Sequence, residues 1–271
     1  MKKILFPTDF SPAAENAFDY AISLALEMNA LIDVASVYHL PFIDAANVPA
    51  EYIDQMMAEK KKIVQEELEE QAALAPKEVR GELLPVYGVF VPQEIDDLAK
   101  EREYELIVMG TRGANHSSLE QVIGSITTYT MMQVASCPIL AIPAEAKWNG
   151  VKRIAYATDF KSDDEVISKQ LLYLCQTLEA EVMYLHVETK TSGDGESSEE
   201  SLEYHAAVDS NITVMHSPTI MEGIDKFILD NKVDILSLFI PHRRLWERLF
   251  HNSLTKRMTF HVKTPLLVFH E

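Results

Sequence analysis

Two glycines, Gly110 and Gly113, close the short apolar run Leu106-Ile-Val-Met109, and the pair Gly124-Ser125 opens the next helical pattern. A buried strand that ends in glycine brings backbone N–H groups close to whatever lies beyond it, because no Cβ stands in the way. A helix N-terminus adds further N–H donors and the positive end of a dipole, and both favour an anion such as phosphate. Earlier in the chain Pro7-Thr8-Asp9 follows the apolar run Ile4-Leu-Phe6. The Asp9 carboxylate can accept hydrogen bonds from hydroxyls or from an amine. Each signal also has a purely structural reading. A glycine after a strand often makes only a tight turn, and Thr8-Asp9 equally suits the cap of the helix that follows.

What joins these residues is the order of elements around them. Residues 3–7 read as a strand, and Ser11-Pro12 caps and opens a helix to about Met28, with Ala17, Ala21, Leu24, Ala25 and Met28 on one face. Ala30 to Val37 reads as a second strand and Ala50 to Leu74 as a long charged helix, on which Lys60-Lys-Lys62 and Glu66 to Glu70 mark a solvated face. A third strand over Glu82 to Tyr87, a helix over Val91 to Arg102, a fourth strand over Leu106 to Met109, a helix over Ser125 to Gln133 and a last strand over Ile139 to Ile142 complete the unit. Alternating strands and helices predict right-handed crossovers and a mostly parallel sheet covered on both faces. In such a doubly wound sheet the ligand lies beyond the carboxyl ends of the strands, where the strand order reverses. Asp9, Val37 and Gly110 to Gly113 all fall there, an arrangement suited to a nucleotide with its base near Val37 and its phosphates near Gly124.

The pattern occurs twice. Lys2-Lys-Ile-Leu-Phe-Pro-Thr-Asp-Phe10 returns as Lys152-Arg-Ile-Ala-Tyr-Ala-Thr-Asp-Phe160, and Ala30 to Val37 returns as Ala180 to Val187. Glu105 to Met109 matches Asp234 to Leu238, and Cys137 to Ile142 matches Thr264 to Phe269. Four blocks in the same order indicate a tandem duplication. The expectation is an α/β chain of two tandem domains, 1–145 and 150–271, each a doubly wound five-stranded parallel sheet with helices on both faces. Ala144 to Asn149 is the linker. In the second copy the segment Thr189 to Ser201, rich in Ser, Gly and Glu, replaces the long helix and reads as a mobile loop.

Composition narrows the function. At 271 residues, 47% apolar and 24% charged, the chain has the balance of a soluble protein with room for two cores. No run approaches the length of a membrane span, and Pro7-Thr-Asp9 interrupts the N-terminal apolar stretch before it can serve as a signal peptide. A cytoplasmic location is therefore expected. The net charge of −18 argues against nucleic acid and anionic membranes as partners. Cys137 and Cys175 have no disulfide or metal spacing and read as core residues. There is no catalytic constellation and no Walker lysine, and the nine histidines show no metal-ligand spacing.

The segments Ile4-Leu-Phe-Pro-Thr-Asp-Phe-Ser11, Leu106-Ile-Val-Met-Gly-Thr-Arg-Gly113, Gly124-Ser125 and Cys137-Pro-Ile-Leu140 resemble the universal stress protein family, with each copy similar to one such domain. The resemblance implies the adenine nucleotide alpha hydrolase-like, or universal stress protein, fold. It also implies ATP, with or without Mg2+, as the ligand of the first copy. On that resemblance Pro7, Thr8 and Asp9 line the adenine and ribose, Val37 contacts the base, and Met109 and Gly110 flank the ribose and α-phosphate. Gly113, Gly124, Ser125 and Ile126 hold the phosphates. The domains of this family pair through their last strands, which the two copies can do within one chain, leaving room for a further homodimer. One departure stands out: Ala114 to Ile123 is one residue longer than the family's spacing between those glycines.

The second copy keeps Thr158-Asp159 and Val187, but Phe239, His242 and Asn252 replace the three glycines, so no ATP is expected there in the family's mode. The basic run from His242 to Arg257 reads first as a charge-balancing surface helix and second as an anion-binding patch. The whole reads as a nucleotide-binding stress-response protein with a regulatory or protective output. The competing classes are a partner-binding module with both sites vestigial and a slow ATPase.

Overall fold

The computed structural model describes residues 2–40, 49–111, 135–158, 165–189, 212–240 and 264–270. The helix expected at Ser125–Gln133, residues 190–201 and the basic segment 242–257 lie outside them. In chain order the first half comprises β1 (Lys2–Pro7), α1 (Pro12–Met28), β2 (Ala30–Tyr38), α2 (Ala50–Ala73), β3 (Arg80–Tyr87), α3 (Val91–Glu101), β4 (Leu106–Gly110) and β5 (Ile139–Ile142). The second comprises β6 (Arg153–Ala157), α4 (Glu165–Thr177), β7 (Glu181–Thr189), β8 (Ile212–Ser217), α5 (Ile220–Asn231), β9 (Ile235–Ile240) and β10 (Leu266–His270).

The strands form one sheet in the order β3-β2-β1-β4-β5-β10-β9-β6-β7-β8. Within each half every pairing is parallel. The second half repeats the strand order of the first. At the centre β5 meets β10 antiparallel, with Leu266 opposite Ala141 and Val268 opposite Ile139. The chain is thus α/β, with helices on both faces of a parallel-dominated sheet. The core runs through the seam, since one apolar cluster contains Phe6, Phe18 and Leu24 from the first half with Tyr156, Leu171 and Phe269 from the second.

The antiparallel seam explains how a short linker suffices. The end of β5 and the start of β6 lie on the same rim, so the chain only has to pass β10 and β9. Asn16 of α1 holds that linker, donating from Nδ2 to the Pro143 and Ala146 carbonyls at 3.1 and 3.0 Å. Lys147 donates back to Asn16 Oδ1, and Trp148 stands edge-on to Tyr20.

Helix α1 forms where its sequence asks for it. Ser11 is the N-cap, accepting from the Ala14 N–H, Pro12 opens the first turn, and Asn29 closes the helix in the left-handed conformation. Its buried face alternates small and large residues. The alanines let the backbone approach the sheet, and Phe18 packs on Phe6 at 5.0 Å between centroids. Each large side chain buried this way contributes about 1.5–3 kcal/mol. β3 begins two residues before the expected Glu82, because the Gly81-Glu82 segment is a register shift and not a strand break. There the buried Asp33 carboxylate accepts from the Glu82 N–H at 2.7 Å and from the Tyr104 hydroxyl.

On the other face α3 is locked to the sheet by Asp96. Its carboxylate accepts from Lys100 at 2.6 Å and from both the amide and the hydroxyl of Ser136 at 2.8 Å, just before β5. Burial alone pushes this carboxyl up. The bonds from Lys100 and Ser136 outweigh that effect and hold it below the usual carboxylate range. A carboxyl depressed in the folded state adds stability above its unfolded value of about 4 and loses it as the pH falls. Asp96→Asn is expected to lower stability at pH 7 by about 1–3 kcal/mol, read from urea unfolding. It should also flatten the loss of stability on acidification below about pH 4. A variant as acid-sensitive as the wild type in that window contradicts the clamp.

Candidate functional site

Strand order reverses between β1 and β4, because β2 and β3 lie on one side of β1 and β4 and β5 on the other. The register pairs Ile4 with Leu106 and Leu5 with Ile107. Continued along the strands, it sets Pro7 level with Met109 and Thr8 level with Gly110. On the other side Pro7 pairs with Ala35, which sets Asp9 level with Val37. Of the residues expected to bind a ligand, Pro7, Thr8, Asp9, Val37, Met109 and Gly110 therefore sit at the carboxyl ends of three adjacent strands. Gly113, Gly124, Ser125 and Ile126 lie outside the described residues.

The turn from β1 into α1 is built by its own side chains. Thr8 is buried, its N–H donating to the Ala35 carbonyl at 2.8 Å and its hydroxyl accepting from the Phe10 N–H at 3.0 Å. Asp9 is exposed, and its Oδ1 accepts from the Ser11 N–H at 3.1 Å. The helix cap is thus Ser11. Asp9 braces that cap residue through its backbone N–H, and the Asp9 side chain is exposed just past the end of β1. Between them Phe10 adopts φ 57°, a left-handed conformation that costs a bulky side chain of order 1 kcal/mol. Nothing in the sequence signals that conformation at a phenylalanine.

Gly110 has a steric duty. A Cβ there would lie 2.6 Å from the Ala13 carbonyl oxygen and 2.9 Å from its carbon, so the first turn of α1 rests directly on the glycine. The sequence pattern associates this glycine with a ligand, whereas in the fold it first serves close packing of helix on strand. Thr111, which the sequence reading passed over, ties the departing loop to β5. Its N–H donates to the Ile142 carbonyl at 2.8 Å, and its hydroxyl donates to the same oxygen at 3.3 Å. The described part of the site offers the exposed carboxylate of Asp9, half-buried Val37 and the ends of three strands.

The second half has the same frame with different contents. The Thr158 N–H donates to the Leu185 carbonyl at 3.0 Å, as Thr8 does to Ala35. Ala157 pairs with Leu238, so the next step sets Thr158 level with Phe239, where the first half has Gly110. Phe239 is half-buried against the shared core. His186, at the position of Ser36, lies 2.9 Å from the Thr158 carbonyl through Nδ1; a carbonyl can only accept, so that nitrogen carries the proton.

Neither cysteine is poised as a nucleophile. Burial pushes the Cys137 thiol up to about 12, with Asp96 adding to the shift, and burial pushes Cys175 up to about 11. Among the described residues no group of three or more His, Cys, Asp and Glu side chains could hold a metal ion, and no helix is long and apolar enough to cross a membrane.

A doubly wound α/β sheet with a switch-point crevice defines a broad class, which comparison with known proteins narrows. The family model described as the universal stress protein family matches residues 1–143. A universal stress protein of Methanocaldococcus jannaschii is 30% identical over 150 residues, 54% of this chain and 84% of that one. The chain belongs to the universal stress protein family. Among solved structures, a universal stress protein from Archaeoglobus fulgidus superposes with a TM-score of 0.69 at 17% identity, covering 99% of this chain and 98% of that one. A protein of unknown function from Pseudomonas aeruginosa superposes with a TM-score of 0.58 at 13% identity, covering 100% and 92%. At these identities the two structures speak for the fold, including its second half.

The packing of α1 on Gly110 is testable by itself. Gly110→Ala is expected to destabilise the fold by about 1–3 kcal/mol, because backbone and not a flexible side chain must give way. An unchanged thermal midpoint would show that α1 can retreat without cost.

Proposed function

We propose that this chain is a tandem universal stress protein that binds one adenine nucleotide, ATP, in the crevice of its first half. The second half, in this reading, is a second universal stress domain whose crevice has lost that ability. The observation that carries it is the contrast between two level positions at the two switch points. The first has Gly110 beside Thr8, while the second has Phe239 beside Thr158. The Phe239 side chain is half-buried against the shared core, so the second crevice lacks the bare backbone that the first has at this level. In the first crevice the exposed Asp9 oxygen is the natural acceptor for ribose hydroxyls, with Val37 toward the base and Pro7, Thr8, Met109 and Gly110 forming the floor. Gly113, Gly124, Ser125 and Ile126 would hold the phosphates, with or without Mg2+.

In this reading the output of binding is regulatory or protective. In this role the protein acts in the cytoplasm, where ATP is abundant. Equilibrium dialysis with ATP, with and without Mg2+, is expected to give one nucleotide per chain. Asp9→Ala should weaken binding about tenfold, the loss of one charge-assisted hydrogen bond. Asp159→Ala should leave it unchanged. Two nucleotides per chain, or none, would sink the proposal.

A further inference from the structure

Glu94, near the start of α3, reaches the far end of the first crevice. Val37, Leu84 and Val91 pack on the apolar cluster beneath α3. Val37 pairs with Val86, and two residues further out, on the same face of the sheet, β3 gives way to Gly88. Side chains on a helix lean toward its N-terminus, so Glu94 leans back over this turn. A Cβ on Gly88 would overlap the Glu94 carboxyl group, which therefore lies directly on the glycine. The clamp from Asp96 to Lys100 and Ser136 holds α3 in place and so fixes that contact. Glu94 is half-buried, and among the described residues its carboxylate has no hydrogen-bond or ion-pair partner.

An acceptor half withdrawn from water and left unpaired gains from meeting a donor. Its place says which donor. β1 and β3 are two strand spacings apart, roughly 10 Å, so Asp9 and Glu94 bracket Val37 from opposite sides of the crevice. A purine nucleoside whose ribose hydroxyls meet Asp9 lays its base across Val37 and brings the far edge of that base to Glu94. On adenine that edge carries an exocyclic amine, which donates where a carboxylate accepts.

The second half lacks this acceptor. Val187 pairs with Met215 as Val37 does with Val86, which puts Ser217 in the place of Gly88. α5 has Gly223 before the buried Ile224, where α3 has Glu94 before the buried Ile95. A Cβ on Gly223 would stand 2.5 Å from Val187 Cγ1 and 3.2 Å from Ser217 Cβ, so helix and strand close on each other there. The carboxylate is thus missing from the half that also has Phe239 at the level of Gly110. Resting on the nucleotide reading above, we propose that Glu94 selects the base in the first crevice, accepting a hydrogen bond from the exocyclic amine of adenine.

The test is equilibrium dialysis of the full chain with ATP and with purine riboside 5′-triphosphate, which carries hydrogen in place of the amine. Circular dichroism confirms that each variant is folded. The wild type is expected to hold ATP about tenfold more tightly than the analogue, the worth of one charge-assisted hydrogen bond. Glu94→Ala should bring the two to within about twofold of each other by weakening ATP alone. Glu94→Gln, whose amide oxygen still accepts, should keep about a threefold preference. Asp9→Ala should weaken both nucleotides alike and leave the preference in place. A preference that survives Glu94→Ala overturns the inference and leaves the nucleotide reading standing. So does a Glu94→Ala variant that loses both nucleotides equally, which is the mark of a structural role. GTP held more tightly than ATP overturns it too, because guanine has a carbonyl where adenine has the amine. A wild type that binds no nucleotide removes the nucleotide reading and the inference with it.

Discussion

Everything in this molecule hangs from the antiparallel contact between β5 and β10. Each half by itself would present its last strand as an open edge, a row of unpaired backbone groups on a strand whose side chains are apolar on both sides. Ile139, Leu140, Ala141 and Ile142 are all buried, as are Leu267, Val268 and Phe269 across from them. Such strands cannot face water. Joining them satisfies both ladders at once and lets the cores on either side run together, so that α1 and α4 pack into the same cluster. The linker needs no crossover, and the outer edges of the assembly become β3 and β8, whose side chains are far more polar.

Within the first half the site depends on how closely α1 can approach β4. The approach is set by atoms with no functional reputation: the missing Cβ of Gly110, the backbone of Ala13 and the small faces of Ala14 and Ala17. The left-handed Phe10, with its own N–H held by Thr8 and the Ser11 N–H that follows held by Asp9, turns the chain sharply enough for the helix to start there. Strain and close packing together fix where the Asp9 carboxylate stands. The crevice is therefore a by-product of helix placement, and Asp9 and Gly110 are held by contacts that serve stability first.

The order of elements was legible in the sequence because apolar runs, the cap at Ser11 and the internal repeat are local signals. In the first half, strand and helix boundaries fall within two residues of the reading over the described segments, and at β5 they coincide with it. What stayed hidden depends on atoms far apart in the chain. The collision that makes glycine obligatory at position 110 comes from residue 13. The late reading of β3 arose because Gly81 looks like a strand breaker until Asp33 is seen filling the bulge beside it. All four residues expected to hold phosphates lie outside the described segments, so only Pro7, Thr8, Asp9, Val37, Met109 and Gly110 can be weighed against the sequence.

The direction of the strands at the seam has one more consequence. Because the second half runs opposite to the first, the carboxyl ends of its strands emerge from the other rim of the sheet. The crevices at the two switch points therefore open at opposite rims of one sheet. What the second half must keep for the first is β10 in register with β5, because that pairing covers the apolar edge of the half that carries Asp9 and Gly110.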